Sequence, residues 1–151
     1  LRGLTMAKSF AASVGAWASA TESRLEAVHK RSLEKLALEM TRTKAEGGNV
    51  PFDTGNLYRS LLASTTGLPG TSGGYFAGSN ASAVIATLKP NQPIWFAYQA
   101  NYAKRQNYGF VGADSLGRVY NTPGNHFIER AIAMWPQIVK EAAQEVQLAN
   151  S

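Results

Sequence analysis

Apolar side chains return every three or four residues along the first third of the chain. Phe10, Val14, Trp17, Thr21, Leu25, Val28, Ser32, Leu36 and Met40 fall on one stripe, which is the period of a helix with one apolar face. The pattern predicts a helix over residues 9 to about 43, roughly 45 Å long from Phe10 to Met40 if unbroken. Ser9 stands where it can cap the start. Ser19-Ala20-Thr21-Glu22 fits a capping box and offers a point of breakage. Glu26–Lys30, Lys30–Glu34 and Lys35–Glu39 lie four apart and are expected to pair weakly on the outer side. A rod of this length is long for a chain of 151 residues. Part of its apolar stripe is therefore expected to meet another subunit rather than its own core.

Ala45-Glu46-Gly47-Gly48-Asn49 ends that helix. The next segment, Val50 to Leu61, reads as a loop with a built-in cap. Asp53 and Thr54 offer side-chain oxygens to free backbone N–H groups, Gly55 permits a tight turn, and Leu57 and Leu61 fall one helical turn apart. A short helix over roughly 55 to 60 follows, then a strand from Ser60 to Thr66. Residues 67–80 hold five glycines and read as a flexible arm. Ala83 to Leu88 and Ile94 to Gln99 read as a hairpin across Lys89-Pro90-Asn91-Gln92-Pro93. Asn101 to Tyr108 suits a short helix, and residues 109–124 form a second loop arm. Asn125 is the expected cap of a last helix whose stripe is Ile128, Ile132, Trp135, Val139, Ala142 and Val146, ending near Leu148. Pro136 kinks or divides it. The fold class is α+β: a long N-terminal helix, a small antiparallel sheet of three to four strands, and a C-terminal helix packed against it. Residues 1–151 read as one domain, with 1–8 flexible.

Composition narrows the function classes. A hydrophobic content of 44% with 17% charged residues belongs to a folded chain. The absence of cysteine excludes disulfides, thiolate metal sites and cysteine nucleophiles. No apolar run approaches the length needed to span a bilayer. The five residues before Met6 read as an upstream extension too short for a signal peptide, and synthesis in the cytoplasm is expected. A net charge of +5 permits contact with nucleic acid or an acidic protein surface. Yet Lys30, Arg31, Lys35 and Arg42 alternate with Glu22, Glu26, Glu34 and Glu39, the pattern of a solvated helix face.

Several residue sets invite chemistry. Asp53-Thr54-Gly55 is the triplet of aspartic proteases, where two such loops bring two carboxylates together to share a proton. One copy per chain would require a homodimer. Here Asn56 follows the triplet and a helical segment succeeds it, so a helix cap is the expected role. His29 and His126 are the two histidines, and neither stands in a zinc-ligand spacing. His29 falls on the apolar side of the first helix and is expected to pack at an interface; His126 opens the last helix. Asp114, Ser115 and His126 form a nucleophile triad on paper, without the G-x-S-x-G elbow around the serine. The glycines of residues 67–78 lack the Lys-Ser/Thr ending of a phosphate loop. Trp95, Phe96, Tyr98 and Tyr102 beside Lys104 and Arg105 suit base stacking next to cations. Trp95 and Tyr98 lie on opposite sides of a strand, however, and one side must fill a core.

Three segments together carry a family resemblance. Pro51-Phe52-Asp53-Thr54-Gly55-Asn56-Leu57-Tyr58-Arg59-Ser60-Leu61 matches a Pro-hydrophobic-Asp-Thr-Gly-x-Leu-x-x-Ser-Ile/Leu signature. Tyr102-Ala103, five residues and Gly109 match a second segment, and Phe127-Ile128-Glu129-Arg130-Ala131 a third. With the long first helix before them, they resemble the tail-component proteins of tailed bacteriophages, the neck or tail-completion proteins that help join tail to head. The resemblance implies a virion structural protein without catalytic activity, cofactor or metal. It implies a homo-oligomeric ring around the DNA channel, hexameric by preference and dodecameric as the alternative. It implies head-completion and tail-tube proteins as neighbours, a tail-completion or tail-terminator role, and possible non-specific contact with DNA. Its motif residues here are Asp53, Thr54, Gly55, Leu57, Ser60, Tyr102, Ala103, Gly109 and Phe127. A small basic nucleic-acid-binding module and a homodimeric aspartic protease using Asp53 are the competing functions.

Overall fold

A computed structural model describes residues 2–150, with side chains from residue 10 onward. Helix α1 (Arg2–Thr41) runs for 40 residues. It does not break near Thr21, whose hydroxyl donates to the Trp17 carbonyl one turn back at 2.9 Å and so stays inside the helix. The helix starts ahead of Ser9, which therefore does not cap it; the Ser9 side chain, Leu1 and Ser151 lie outside the described residues. The backbone of residues 2–8 is helical. A short 3-10 turn, Lys44–Glu46, closes the region, with Gly47 left-handed at φ +87. Thr43 donates to Glu46 through its hydroxyl at 2.7 Å and its N–H at 3.2 Å. Those bonds hold the Glu46 carboxyl below its ordinary value.

Helix α2 (Asn56–Arg59) leads into strand β1 (Leu61–Ser64), which pairs antiparallel with β2 (Trp95–Tyr98). Leu61 stands opposite Tyr98, and Ser64 opposite Trp95. The predicted strand over 83–88 is a helix instead: α3 (Ala81–Ala86). Ala81, Ile85 and Leu88 are buried at helical spacing, and that face decides against the strand reading. The predicted partner of β2 is thus replaced by β1. The outer edge of β1 is also occupied. Asn80 accepts from the Ala63 N–H at 2.7 Å and donates to the Ala63 carbonyl at 3.0 Å. A side-chain amide takes the place of the next strand.

Helix α4 (Ala103–Tyr108) runs directly into β3 (Gly109–Ala113), which pairs antiparallel with β4 (Val119–Pro123). The second predicted loop arm is therefore a hairpin. Asp114 and Gly117 make its turn: the Gly117 N–H donates to the Asp114 carbonyl at 3.0 Å, and Gly117 adopts φ +77. Among the described residues, four strands form two separate ribbons rather than one sheet. The last helix is divided, as Pro136 suggests, into α5 (Phe127–Ala133) and α6 (Trp135–Ala149). Pro136 sits in the first turn of α6, where its missing N–H leaves no bond unmade. The cap position of α5 is His126, at φ +51, rather than the predicted Asn125. Asn125 instead donates to the Gln106 carbonyl at 2.9 Å.

The core gathers Leu33, Ala37 and Met40 of α1 with Val50, Leu57, Leu61, Ile85, Leu88, Tyr98 and Phe127. Tyr98 lies edge-on to Phe127, with ring centroids 5.1 Å apart, and its hydroxyl donates to the Met40 carbonyl at 2.5 Å. Met40 belongs to the last turn of α1, whose carbonyls have no partner within the helix. Tyr98 thus ties the end of α1 to β2, and burial pushes its hydroxyl pKa up.

Helix α6 lies antiparallel along the second half of α1. Arg31 Nε and Lys35 Nζ each reach Glu145 at 2.6 Å, and Lys35 reaches Glu141 at 3.6 Å. Arg31 and Lys35 are therefore part of a seam between helices, not of a solvated face. The Lys35–Glu39 pairing gives way to this seam, and Glu39 binds Arg42 at 2.9 Å. Glu26–Lys30 pairs as its spacing suggests, at 3.3 Å. His29 is exposed within this chain.

Two outcomes follow from these contacts. Tyr98→Phe leaves the Met40 carbonyl buried without its donor and should cost about 1–2 kcal/mol in chemical denaturation, with the fold retained. The second concerns pH. Hydrogen bonds from Arg31 and then Lys35 hold the Glu145 carboxyl below its ordinary value of 4.5. The unfolded chain takes up that proton first, so the contribution is present above about pH 4.5 and lost as pH falls through the lowered value. The melting temperature of Glu145→Gln should trail the parent near neutrality and converge with it in acid.

Candidate functional site

The segment with the Asp-Thr-Gly triplet is held at both ends. Val50 is fully buried, and its N–H and carbonyl pair with the Arg42 carbonyl at 3.2 Å and the Lys44 N–H at 2.9 Å. Leu57 and Leu61 are buried at the other end. Between them the chain turns through Gly55 at φ +79. A Cβ there would come within 2.7 Å of Arg59 Nη1, 2.8 Å of Phe52 and 2.9 Å of Tyr58. Both conformation and space therefore demand glycine.

The predicted cap is half formed. Thr54 Oγ1 accepts from the Asn56 N–H at 3.3 Å, and the Thr54 carbonyl accepts from Arg59 Nη2 at 3.0 Å. Asp53 is exposed and makes no hydrogen bond among the described residues, and Gly55 rather than Asp53 occupies the cap position of α2. Ser60 is buried and donates to the Leu57 carbonyl at 2.7 Å, closing the short helix.

Pro51 to Leu57 line an open cleft of about 520 Å³ together with Gly74, Tyr75, Tyr102 and Gln106. The fold therefore brings the first and second signature segments into one wall. Asp53, Thr54, Gly55, Leu57 and Tyr102 belong to it. Ser60, Ala103, Gly109 and Phe127 do not; they position the elements that do. Ala103 and Phe127 are core residues. Gly109, at φ +84, lies where a Cβ would meet the Thr122 carbonyl at 2.5 Å and the Gly124 nitrogen at 2.7 Å.

Two buried asparagines carry much of this arrangement, and neither stands out in the sequence. Asn56 donates to the Gly74 carbonyl at 2.8 Å and accepts from the Phe76 N–H at 2.8 Å. Arg59 Nε adds a bond to the Phe76 carbonyl at 3.1 Å. Ser72 forms an isolated bridge with Ala100. The glycine-rich segment 67–80 is thus stitched down through its middle. Asn107 accepts from the Ile128 N–H at 3.0 Å and donates to both Glu129 oxygens at 2.9 and 3.0 Å. It caps α5 from another element. Both asparagines occupy positions that the signature leaves open, so only the paired demand of two loops for donors and acceptors could have marked them.

The other chemical candidates do not assemble into one site. Asp114 sits at the hairpin tip. Burial pushes its carboxyl up, but bonds from Arg118, Leu116 and Tyr120 outweigh this and hold it below its ordinary value. His126 stands beyond the hairpin base and faces Glu129 at 3.8 Å. The length of the ribbon, about 13 Å over its four residue steps, separates it from Asp114 and Ser115. The aromatic set is divided as well. Tyr98 is buried, Phe96 contributes to an apolar groove, and Tyr102 opens onto the cleft. Arg105 is stacked 4.2 Å over Phe110. Among the described residues no three His, Asp or Glu side chains gather as a metal site, and no helix is long and apolar enough to cross a membrane.

No family model, curated protein or solved structure matches the chain.

Asn56→Ala should speed hydrogen exchange across residues 72–76 and cost about 1–3 kcal/mol in global stability, because two backbone groups lose their partner. Asp53→Asn, made at an exposed side chain, should leave both measurements unchanged.

Proposed function

We propose that this chain is a structural subunit of a closed ring at the head–tail junction of a tailed bacteriophage, joining tail to head around the DNA channel. The observation that carries the reading is the state of α1. Its second half is packed by α3, α5 and α6, while Phe10, Val14 and Trp17 stay exposed on the first half. Surface of this kind is a liability in a solitary molecule and an asset in an assembly. A ring needs contacts in which one face of a subunit fits a different face of the next.

Two further features support it. The three signature segments meet: the Asp-Thr-Gly loop and Tyr102 share a cleft, and Leu57, Ala103 and Phe127 belong to one core. The β3–β4 ribbon leaves Val111, Leu116 and Val119 exposed. A two-stranded ribbon is marginally stable alone, and this one suits docking against a neighbouring ring. In this reading the Asp53 carboxylate is a turn and rim residue rather than an acid catalyst. Six copies match a tail tube, with twelve as the alternative, and the working location is the virion.

Native mass spectrometry, alone and with the tail-tube protein encoded nearby, tests the proposal. Closed species of six or twelve copies are expected, in a gene neighbourhood that includes portal, head-completion and tail-tube frames. A proteolytic dimer silenced by Asp53→Asn overturns it. So does a chain that never assembles with such partners and binds free DNA with a steep loss of affinity in salt.

A further inference from the structure

The exposed stripe on α1 has a counterpart elsewhere on the same chain. An apolar groove of about 290 Å³ is lined by Leu33 and Leu36 of α1, Ile94 and Phe96 at β2, and Ile132 and Trp135 at the α5–α6 junction. No charged side chain lines it. Ile132 belongs to the stripe predicted for the last helix, yet it is 62% exposed. The buried positions of that region are Phe127, Ala131, Ile138 and Ala142 instead. The groove is thus an apolar surface left over after the core has closed.

Residues 10–21 match it in character. They contain no charged residue; around Phe10, Val14 and Trp17 stand only Ala, Ser, Gly and Thr. A solvated helix face ordinarily carries charges, and small residues allow another surface to approach the backbone closely. Phe10 and Trp17 are 73% and 70% exposed. At those exposures the two aromatic rings and Val14 present roughly 300–400 Å² of apolar surface, taking ~150–250 Å² for each whole ring. A stable interface buries about 800 Å² per partner around an apolar centre with a polar rim. The stripe supplies that centre and the helix flanks supply the rim.

The stripe cannot fill the groove of its own chain. Trp17 stands sixteen residues before Leu33 on one continuous helix, about 24 Å along a rigid axis. The cavity near the end of α6 is lined on α1 by Arg24 and Val28, and the one beside Leu88–Asn91 reaches back to Ser19; Phe10, Val14 and Trp17 line neither. The stripe continues beyond that cover.

We propose that the first half of α1 from one copy seats in the Leu33–Leu36–Ile94–Phe96–Ile132–Trp135 groove of a second copy, with Trp17 as the inserted side chain. Repeated head to tail, a contact between two different surfaces closes a ring when the rotation permits; made reciprocally, it closes a pair. Trp17 is of the residue type that dominates interface energy when its pocket is dry. This proposal rests on the ring reading for its biological setting, but the contact itself is tested separately.

The absence of cysteine makes the test clean. Thr21→Cys lies one turn from Trp17 on the same stripe, and Ile132→Cys lies on the groove. A short bis-maleimide should join the two variants when they are mixed and should give little dimer with either alone. Trp17→Asp, at an exposed site that the fold does not use, should weaken self-association by roughly thirtyfold or more in sedimentation and abolish the cross-link, with the circular dichroism spectrum unchanged. Linkage of Thr21→Cys to itself assigns the stripe to a stripe–stripe contact and overturns the proposal. Absence of any 21–132 product at concentrations where the parent assembles overturns it equally, and leaves a ring built on other surfaces standing. A 21–132 product from an assembly of two copies upholds the contact and removes the ring.

Discussion

The anchoring of the second half of α1 is the constraint on which the rest depends. Leu33, Ala37 and Met40 reach into the core, and the last-turn carbonyl of Met40 is taken by the Tyr98 hydroxyl. Tyr98 in turn packs edge-on against Phe127, the residue that starts α5. One aromatic pair therefore fixes three elements: the end of the long helix, strand β2 and the start of α5. On the far side, the Arg31–Lys35–Glu141–Glu145 seam sets the register of α6. Exposed pairs of this kind contribute little energy singly. Their effect here is positional, because Glu145 is shared by two cations from successive turns. With half the helix fixed, the other half extends as a rigid rod, since nothing between Phe10 and Met40 interrupts its hydrogen bonding.

Side-chain amides do much of what backbone pairing does elsewhere. Asn80 closes the edge of β1, Asn56 holds Gly74 and Phe76, and Asn107 caps α5. An amide offers a donor and an acceptor in nearly the geometry of a peptide group, so it can stand in for a missing strand or a missing turn. This explains how a chain with two small ribbons holds a long glycine-rich segment in place. Loops of that composition have much entropy to lose on ordering. Anchoring at a few buried points limits the motion without requiring regular structure throughout.

The parts legible in the sequence were those governed by local periodicity. The three- and four-residue rhythm from Phe10 to Met40 marked α1, and Gly55 before Leu57 marked the turn into α2. Pro136 marked the junction of α5 and α6. What the sequence hid were choices made by tertiary contact. Val84 and Ile85 favour a strand by propensity, but Ala81, Ile85 and Leu88 bury together as a helix. Residues 109–124 looked like coil because four glycines dilute the strand signal. The Asp114-to-Gly117 turn carried the hairpin all along, with Asp at its first position and Gly at its last. Lys35 could have paired with Glu39 along its own helix; Glu145 won because a whole helix docks beside it. At the candidate site, the glycine and threonine roles were readable from local stereochemistry. The roles of Asn56 and Asn107 were not, since their partners lie far along the chain.

The placement of charge argues for an asymmetric use of the molecule. Ion pairs gather along the packed half of α1 and just past its end, from Glu26 to Arg42, where neighbouring helices already supply apolar contact. The exposed stretch from Phe10 to Thr21 has none. For a helix that remained in water the reverse would be favourable, because charged side chains keep an uncovered rod soluble and blunt its association. A chain that leaves this stretch neutral and studs it with two aromatic rings gains nothing as a monomer. Its apolar surface becomes stabilising only when a second surface removes it from water, at ~25 cal/mol per Å². On the proposed reading, that balance makes the exposed half of α1 an assembly element whose environment another molecule completes.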